Sequence, residues 1–120
     1  KNIKNLLLDQ KIVSGIGNIY ANEILYKSQI LPTKSVKKLT SLDLIKIIKF
    51  SRLILNNAIK FGGSSIKDFK GISGVTGSFQ TKFNVYNREN QKCNRSKCKG
   101  IIKKRYISNR STYICNYCQS

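Results

Sequence analysis

Histidine is absent from this chain, and proline occurs once, at Pro32. Without imidazole, histidine acid–base chemistry and Cys/His triads are excluded. Acidic residues are almost as scarce: Asp9, Glu23, Asp43, Asp68 and Glu89 are all five. They are scattered along the chain, which argues against a hydrolase built on paired carboxylates. No apolar run is long enough to span a membrane and no signal peptide is present. The chain therefore carries little evident catalytic equipment of its own. It also opens on Lys1-Asn2-Ile3 without a methionine, as a fragment would.

Positive charge is abundant. Twenty-three Lys and Arg residues set the net charge at +18 over 120 residues, far beyond what solubility requires. Such a field favours a polyanion, with nucleic acid the default partner. An AT-rich genome would inflate lysine, asparagine and isoleucine, but it does not explain the scarcity of carboxylates.

All four cysteines fall near the end, in two close pairs. Cys93 and Cys98 enclose four residues, Cys115 and Cys118 enclose two, and the sixteen residues from Lys99 to Ile114 separate the pairs. Such spacing suits a tetrahedral all-cysteine structural zinc site, one Zn2+ held by Cys93, Cys98, Cys115 and Cys118. The spacer reads as a hairpin: Ile101, Ile102, Tyr106 and Ile107, then a turn-like Ser108-Asn109-Arg110-Ser111, then Thr112, Tyr113 and Ile114. Two disulfides are the rival reading. It suits an oxidising compartment, which a lysine-rich chain without a signal peptide does not indicate.

The rest reads as helices. Ile3, Leu6, Leu7 and Leu8 suggest the end of an amphipathic helix. Gly15 and Gly17 mark tight turns. Asn18 then suits an N-cap for a helix over 19–28, with Tyr20, Ala21, Ile24, Leu25 and Ser28 inward. A helix start of this kind can bind phosphate, though an ordinary helical packing unit explains the same residues. After the connection around Pro32, Thr40 or Ser41 can cap a long helix to about Phe61. Lys46, Lys49, Arg52, Asn56 and Lys60 form its polar stripe. Leu44, Ile45, Ile47, Ile48, Leu55, Ala58 and Ile59 form an expected core face. Gly62-Gly63 ends it. Residues 71–78 hold three glycines and read either as a surface connection or as a binding loop. Phe79, Phe83 and Tyr86 predict a short helix before the cysteines.

Three blocks in this order carry a resemblance. They are Leu7-Leu8-Asp9-Gln10 with Gly15-Ile16-Gly17-Asn18-Ile19-Tyr20-Ala21-Asn22-Glu23-Ile24-Leu25; Gly62-Gly63-Ser64-Ser65 with Phe79-Gln80 and Asn84-Val85-Tyr86; and Asn109-Arg110-Ser111-Thr112-Tyr113. Together they resemble the C-terminal half of bacterial formamidopyrimidine-DNA glycosylase, across essentially the whole chain. The resemblance implies a mainly α fold: a helix-two-turn-helix DNA-binding domain over 1–88, with a lesion-covering loop at about 71–78. A four-cysteine zinc-finger β-hairpin over 89–120 follows. Asn18 would contact a DNA phosphate. Arg110 would contact phosphates beside the lesion and give a proton in the last elimination step. Lys4 would lie near the damaged base, and the loop with Gly77 and Ser78 would close over it. These roles suit an anion-binding helix start and a guanidinium at a rigid turn.

The implied activity is excision of oxidised purines, 8-oxoguanine and formamidopyrimidines, from double-stranded DNA, followed by β,δ-elimination at the abasic site. The implied protein is a monomer on nucleoid DNA in the bacterial cytoplasm. The family's chemistry starts from an N-terminal proline assisted by a glutamate. This chain has neither at Lys1, so the expectation is a catalytic domain upstream, by ~150 residues, and a fragment inactive by itself. The first knuckle is also wider than the family's usual two-residue spacing. Three alternatives stand beside this reading: an endonuclease VIII-type glycosylase, a ribosomal-like zinc ribbon, and a helix–hairpin–helix protein. The ribbon leaves the Asn18 and Arg110 blocks without a purpose, and the helix–hairpin–helix leaves the cysteines unexplained.

Overall fold

The computed structural model describes residues 1–9, 16–60 and 83–120, with the side chains of 58–60 set aside. Among the described residues there are three α-helices and one two-stranded antiparallel hairpin: α1 (Ile3–Leu8), α2 (Asn18–Lys27), α3 (Ser41–Lys60), β1 (Ile102–Ile107) and β2 (Arg110–Cys115). A 3-10 turn, Val36–Lys38, interrupts the connection after Pro32. No described helix is long and apolar enough to cross a membrane. Gly15, the Gly62-Gly63 stop and the 71–78 loop, with its site residues Gly77 and Ser78, lie outside the described residues.

Each helix has a readable start, not always the one expected. The Asn2 side chain accepts from the Asn5 amide, so α1 begins here and is a short helix in its own right. Thr40 caps α3 through a reciprocal pair: Thr40 Oγ1 accepts from the Asp43 amide at 3.1 Å, and Asp43 Oδ2 accepts from the Thr40 amide at 3.1 Å. That is the capping box with aspartate in the acidic position. The N-cap of α2 is Gly17, and Asn18 is the first helical residue; no side chain caps this end. The expected Asn18 cap is thereby corrected. Its amide is drawn away to the hairpin, leaving Gly17 in the extended cap conformation.

Two clusters fill the interior. Ile3, Leu7, Ile16, Tyr20, Ala21, Ile24, Leu25, Ile30, Ile47 and Phe83 form the first. The second joins Tyr26 and Val85 to Cys93, Cys98, Ile102, Tyr113 and Cys115. Tyr86 packs against both, meeting Phe83 and Tyr113 edge-on. All the predicted inward residues of α2 are buried, but so are Asn22, Glu23 and Tyr26.

The long helix corrects its expected core face. Ile47 is buried, and Ile54 and Leu55 pack partly against the first cluster. Leu44, Ile45 and Ile48 are exposed, Ile45 by 61 %. The helix meets α2 along one edge, which cannot cover an apolar sector this wide. The short helix expected through Phe83 and Tyr86 is also absent over 83–88, which forms turns. Its amides at Asn84, Val85 and Tyr86 donate to the Glu23 carboxylate instead of to helical carbonyls.

Candidate nucleic-acid interface and metal centre

The hairpin turns in two residues. Ile107 pairs with Arg110, and Ser108 and Asn109 both have left-handed backbones, φ 52° and 63°. Two consecutive left-handed residues make the turn whose twist suits a tight hairpin. Arg110 is therefore the first residue of β2, held by strand pairing, and it is exposed. Its guanidinium has no hydrogen-bond partner among the described residues.

The hairpin folds back onto the start of α2. Asn18 Nδ2 donates to the Ser111 carbonyl at 3.0 Å, and Asn22 Nδ2 donates to the same oxygen at 3.4 Å. Asn22 Oδ1 accepts from the Tyr113 amide at 2.9 Å. From α1, Lys4 Nζ donates to Thr112 Oγ1 at 2.6 Å and to Ser111 O at 3.3 Å, and Asn5 Nδ2 donates to Ser108 Oγ at 3.1 Å. Two helices thus grip one β-strand beside Arg110. The Asn18 amide is thereby bonded to the residue that follows Arg110 in the strand.

Lys4 is wholly buried. Burial first, and then the neighbouring Arg110 charge, bring its ammonium from the ordinary 10.5 down to about 8. Its nitrogen is engaged with the strand. Asn18 keeps a second amide hydrogen for another acceptor, while its Oδ1 is buried without a partner. The first amides of α2 have no acceptor within the helix and add positive potential at the same place.

Negative charge is occupied elsewhere. Lys1 pairs with Asp9, Lys34 with Asp43 and Lys104 with Glu89. Glu23 is buried and accepts the three amides of Asn84, Val85 and Tyr86 at 2.7–3.0 Å. Burial pushes its carboxyl above the ordinary range, and the amide hydrogen bonds oppose that shift. Among the described residues, no acidic group is left over to neutralise the hairpin's exposed Lys103, Arg105 and Arg110.

The four cysteines converge, with sulfurs all within 4.8 Å of one another. Cys93 and Cys118 are 3.9 Å apart, and Cys98 and Cys115 are 3.6 Å apart. Four thiolates around zinc at Zn–S distances of about 2.3 Å stand about 3.8 Å apart, so the donor set and spacing fit such an ion. Each sulfur pair joins one knuckle to the other. Amides of Arg95 and Gly100 point at Cys93 and Cys98, at 3.5 and 3.4 Å. Gly100 has to be glycine: a Cβ there would stand 2.5 Å from Cys115 Sγ and 2.8 Å from Tyr117 Cβ. Burial works against the Cys93 thiolate, yet hydrogen bonds from Tyr26 and the Arg95 amide help bring its pKa down to about 7. Cys118 is pushed up to about 12 by burial, with Arg95 opposing.

Asn22, Glu23, Tyr26, Arg95 and Thr112 carried no assigned role in the sequence reading. The available signal was polar residues on a short, otherwise apolar helix. In Asn22 and Glu23 that signal marks buried groups seeking specific partners.

A helical body is thus locked to a four-cysteine hairpin that carries an exposed basic edge. Residues 1–70 match the model of the formamidopyrimidine-DNA glycosylase H2TH domain, and the chain belongs to that family. Formamidopyrimidine-DNA glycosylase of Roseobacter denitrificans is 42 % identical over 117 residues, 98 % of this chain and 41 % of that protein. That of Prochlorococcus marinus is 42 % identical over 119 residues, 99 % of this chain and 40 % of the relative. The Lactococcus lactis enzyme in complex with DNA containing an abasic site superposes with a TM-score of 0.85 at 38 % identity. It covers 100 % of this chain, which covers 42 % of that one. The same scores and coverage hold for its complex with DNA containing FAPY-dG. The chain thus spans about two-fifths of the length of these relatives.

Proposed function

We propose that this chain is the DNA-holding part of a base-excision-repair enzyme that excises oxidised purines and cuts the abasic site by β,δ-elimination. The observation that carries the reading is the bond from Asn18 to Ser111, next to Arg110, which sets the start of α2 and a free guanidinium on one edge. Residues 1–88 act as a helix-two-turn-helix domain and 89–120 as a zinc finger, with Cys93, Cys98, Cys115 and Cys118 holding the ion. The ion supplies rigidity, not chemistry.

In this reading Arg110 and the second Asn18 amide hydrogen hold backbone phosphates, which fixes register without reading sequence. Unpaired basic residues draw the duplex in, and the target nucleotide is turned out of the stack. Arg110 also stands ready to give a proton in the final elimination. Lys4 works through the strand it holds, setting Arg110 in place. Gly77 and Ser78 cover the extruded base. The enzyme acts as a monomer on double-stranded DNA in the bacterial cytoplasm.

Binding to a duplex with an abasic-site analogue, measured by anisotropy across a salt series, tests the clamp. Arg110→Ala should cost about 1.5–3 kcal/mol and flatten the salt slope by about one ion contact. Asn18→Ala should weaken binding with little change in slope, and the double variant should lose less than the sum. Full additivity, or an unchanged slope in Arg110→Ala, would overturn the clamp. For the metal, elemental analysis should find about one zinc per chain. No zinc, with two disulfides by mass spectrometry, would overturn the finger.

A further inference from the structure

We infer that Tyr26 and Arg95 are positioning residues of the four-thiolate centre, tying the Cys93 side of it to the last turn of α2. The inference rests on the proposed zinc site. Tyr26 is buried, and its hydroxyl lies 3.0 Å from Cys93 Sγ. A metal-bound thiolate has no proton to give, so the hydroxyl is the donor in that pair. Arg95 stands within the first knuckle. Its amide approaches Cys93 Sγ at 3.5 Å, its Nη2 donates to the Tyr26 carbonyl at 2.8 Å, and its guanidinium lies 4.8 Å from the Tyr26 ring centroid. Backbone, side chain and ring thus close a circuit from knuckle to helix and back to the sulfur.

Charge explains why such a circuit is useful. Four thiolates around a divalent cation leave a net charge of about −2 in a largely buried place, which needs donors and a cation around it. Arg95 and the Tyr26 hydroxyl supply both. The two knuckles differ accordingly. In the second, the intervening Asn116 and Tyr117 are exposed. In the first, Arg95 turns back onto α2. The helix is then gripped at both ends by one hairpin unit: at its start through Asn18 and Asn22, and at its last turn through Tyr26. Loss of the metal frees the last turn along with the strand.

The test is zinc release from the zinc-loaded protein to a chromogenic chelator. Tyr26→Phe removes one oxygen, and Arg95→Ala removes the guanidinium. Each should release zinc at least about tenfold faster, the range typical for outer partners of metal ligands. Because the two act through one another, the double variant should fall short of the product of the singles. Arg95→Lys keeps the charge without the planar fork and should lie between wild type and Arg95→Ala. In the cobalt-substituted protein, Tyr26→Phe should shift the sulfur-to-cobalt charge-transfer absorption, which a merely space-filling tyrosine would not. Should Arg95→Ala fail to fold, Tyr26→Phe and Arg95→Lys carry the test. Release within twofold of wild type in Tyr26→Phe, with an unshifted cobalt spectrum, overturns the inference while leaving the zinc site standing. A wild-type chain that takes up no zinc or cobalt overturns the zinc site itself.

Discussion

Helices α2 and α3 invert what their patterns suggest. The longer one has twenty residues, a capping box and a continuous apolar sector. Yet Leu42, Leu44, Ile45, Ile48 and Leu53 are exposed along it, and Ile47 is its buried hydrophobic residue within the described core. The shorter one has ten residues, of which seven are buried, Asn22 and Glu23 included. Amphipathic periodicity measures how much surface a helix offers for burial. It says nothing of how many neighbours arrive. α2 is met by α1, α3, the 84–86 turn and the hairpin, so its polar side chains must act as connectors.

The largest effect should come from breaking such a connector. Glu23→Ala leaves the buried Val85 amide and the part-buried Asn84 and Tyr86 amides without their acceptor, at about 1–3 kcal/mol for a fully buried group. A loss of at least about 3 kcal/mol in urea unfolding is expected, with lost hydrogen-exchange protection at Asn84, Val85 and Tyr86. Glu23→Ala within 1 kcal/mol of wild type would mean that water serves those amides equally well.

A matched pair on α3 sharpens the contrast. Ile47→Ala should cost about 2–4 kcal/mol as a core truncation. Ile45→Ala, two residues earlier and exposed, should stay within about 0.5 kcal/mol. Equal costs measured by denaturant midpoint would show that the apolar sector is covered in solution.

The last effect concerns pH. Lys4 has its pKa lowered on folding from 10.5 to about 8, so the unfolded chain binds more protons between those values. Stability from this group therefore rises as pH climbs from about 8 to 10.5, and its strain is fully present below 8. Lys4→Met should flatten that rise in thermal midpoints across the window. An unchanged pH profile would mean that Lys4 titrates as an exposed lysine.

Some features were legible from residue order alone because their physics is local. The spacing of Cys93, Cys98, Cys115 and Cys118 limits what four sulfurs can do. Thr40 is one of two residues placed to cap the long helix, and Ser108 to Ser111 mark a turn between two apolar runs, of which only Ser108 and Asn109 lie outside the strands. The near absence of carboxylates leaves a cationic surface whatever the fold. Tertiary structure decided the rest, since the partners are far apart in the chain. Asn18 became a strand anchor in place of a cap because Ser111 lies 93 positions away and within reach. Lys4 became a buried tether to Thr112, and Glu23 organised the 84–86 turn. A buried polar group announces that it needs a partner, but only the packing of distant segments determines which partner it finds.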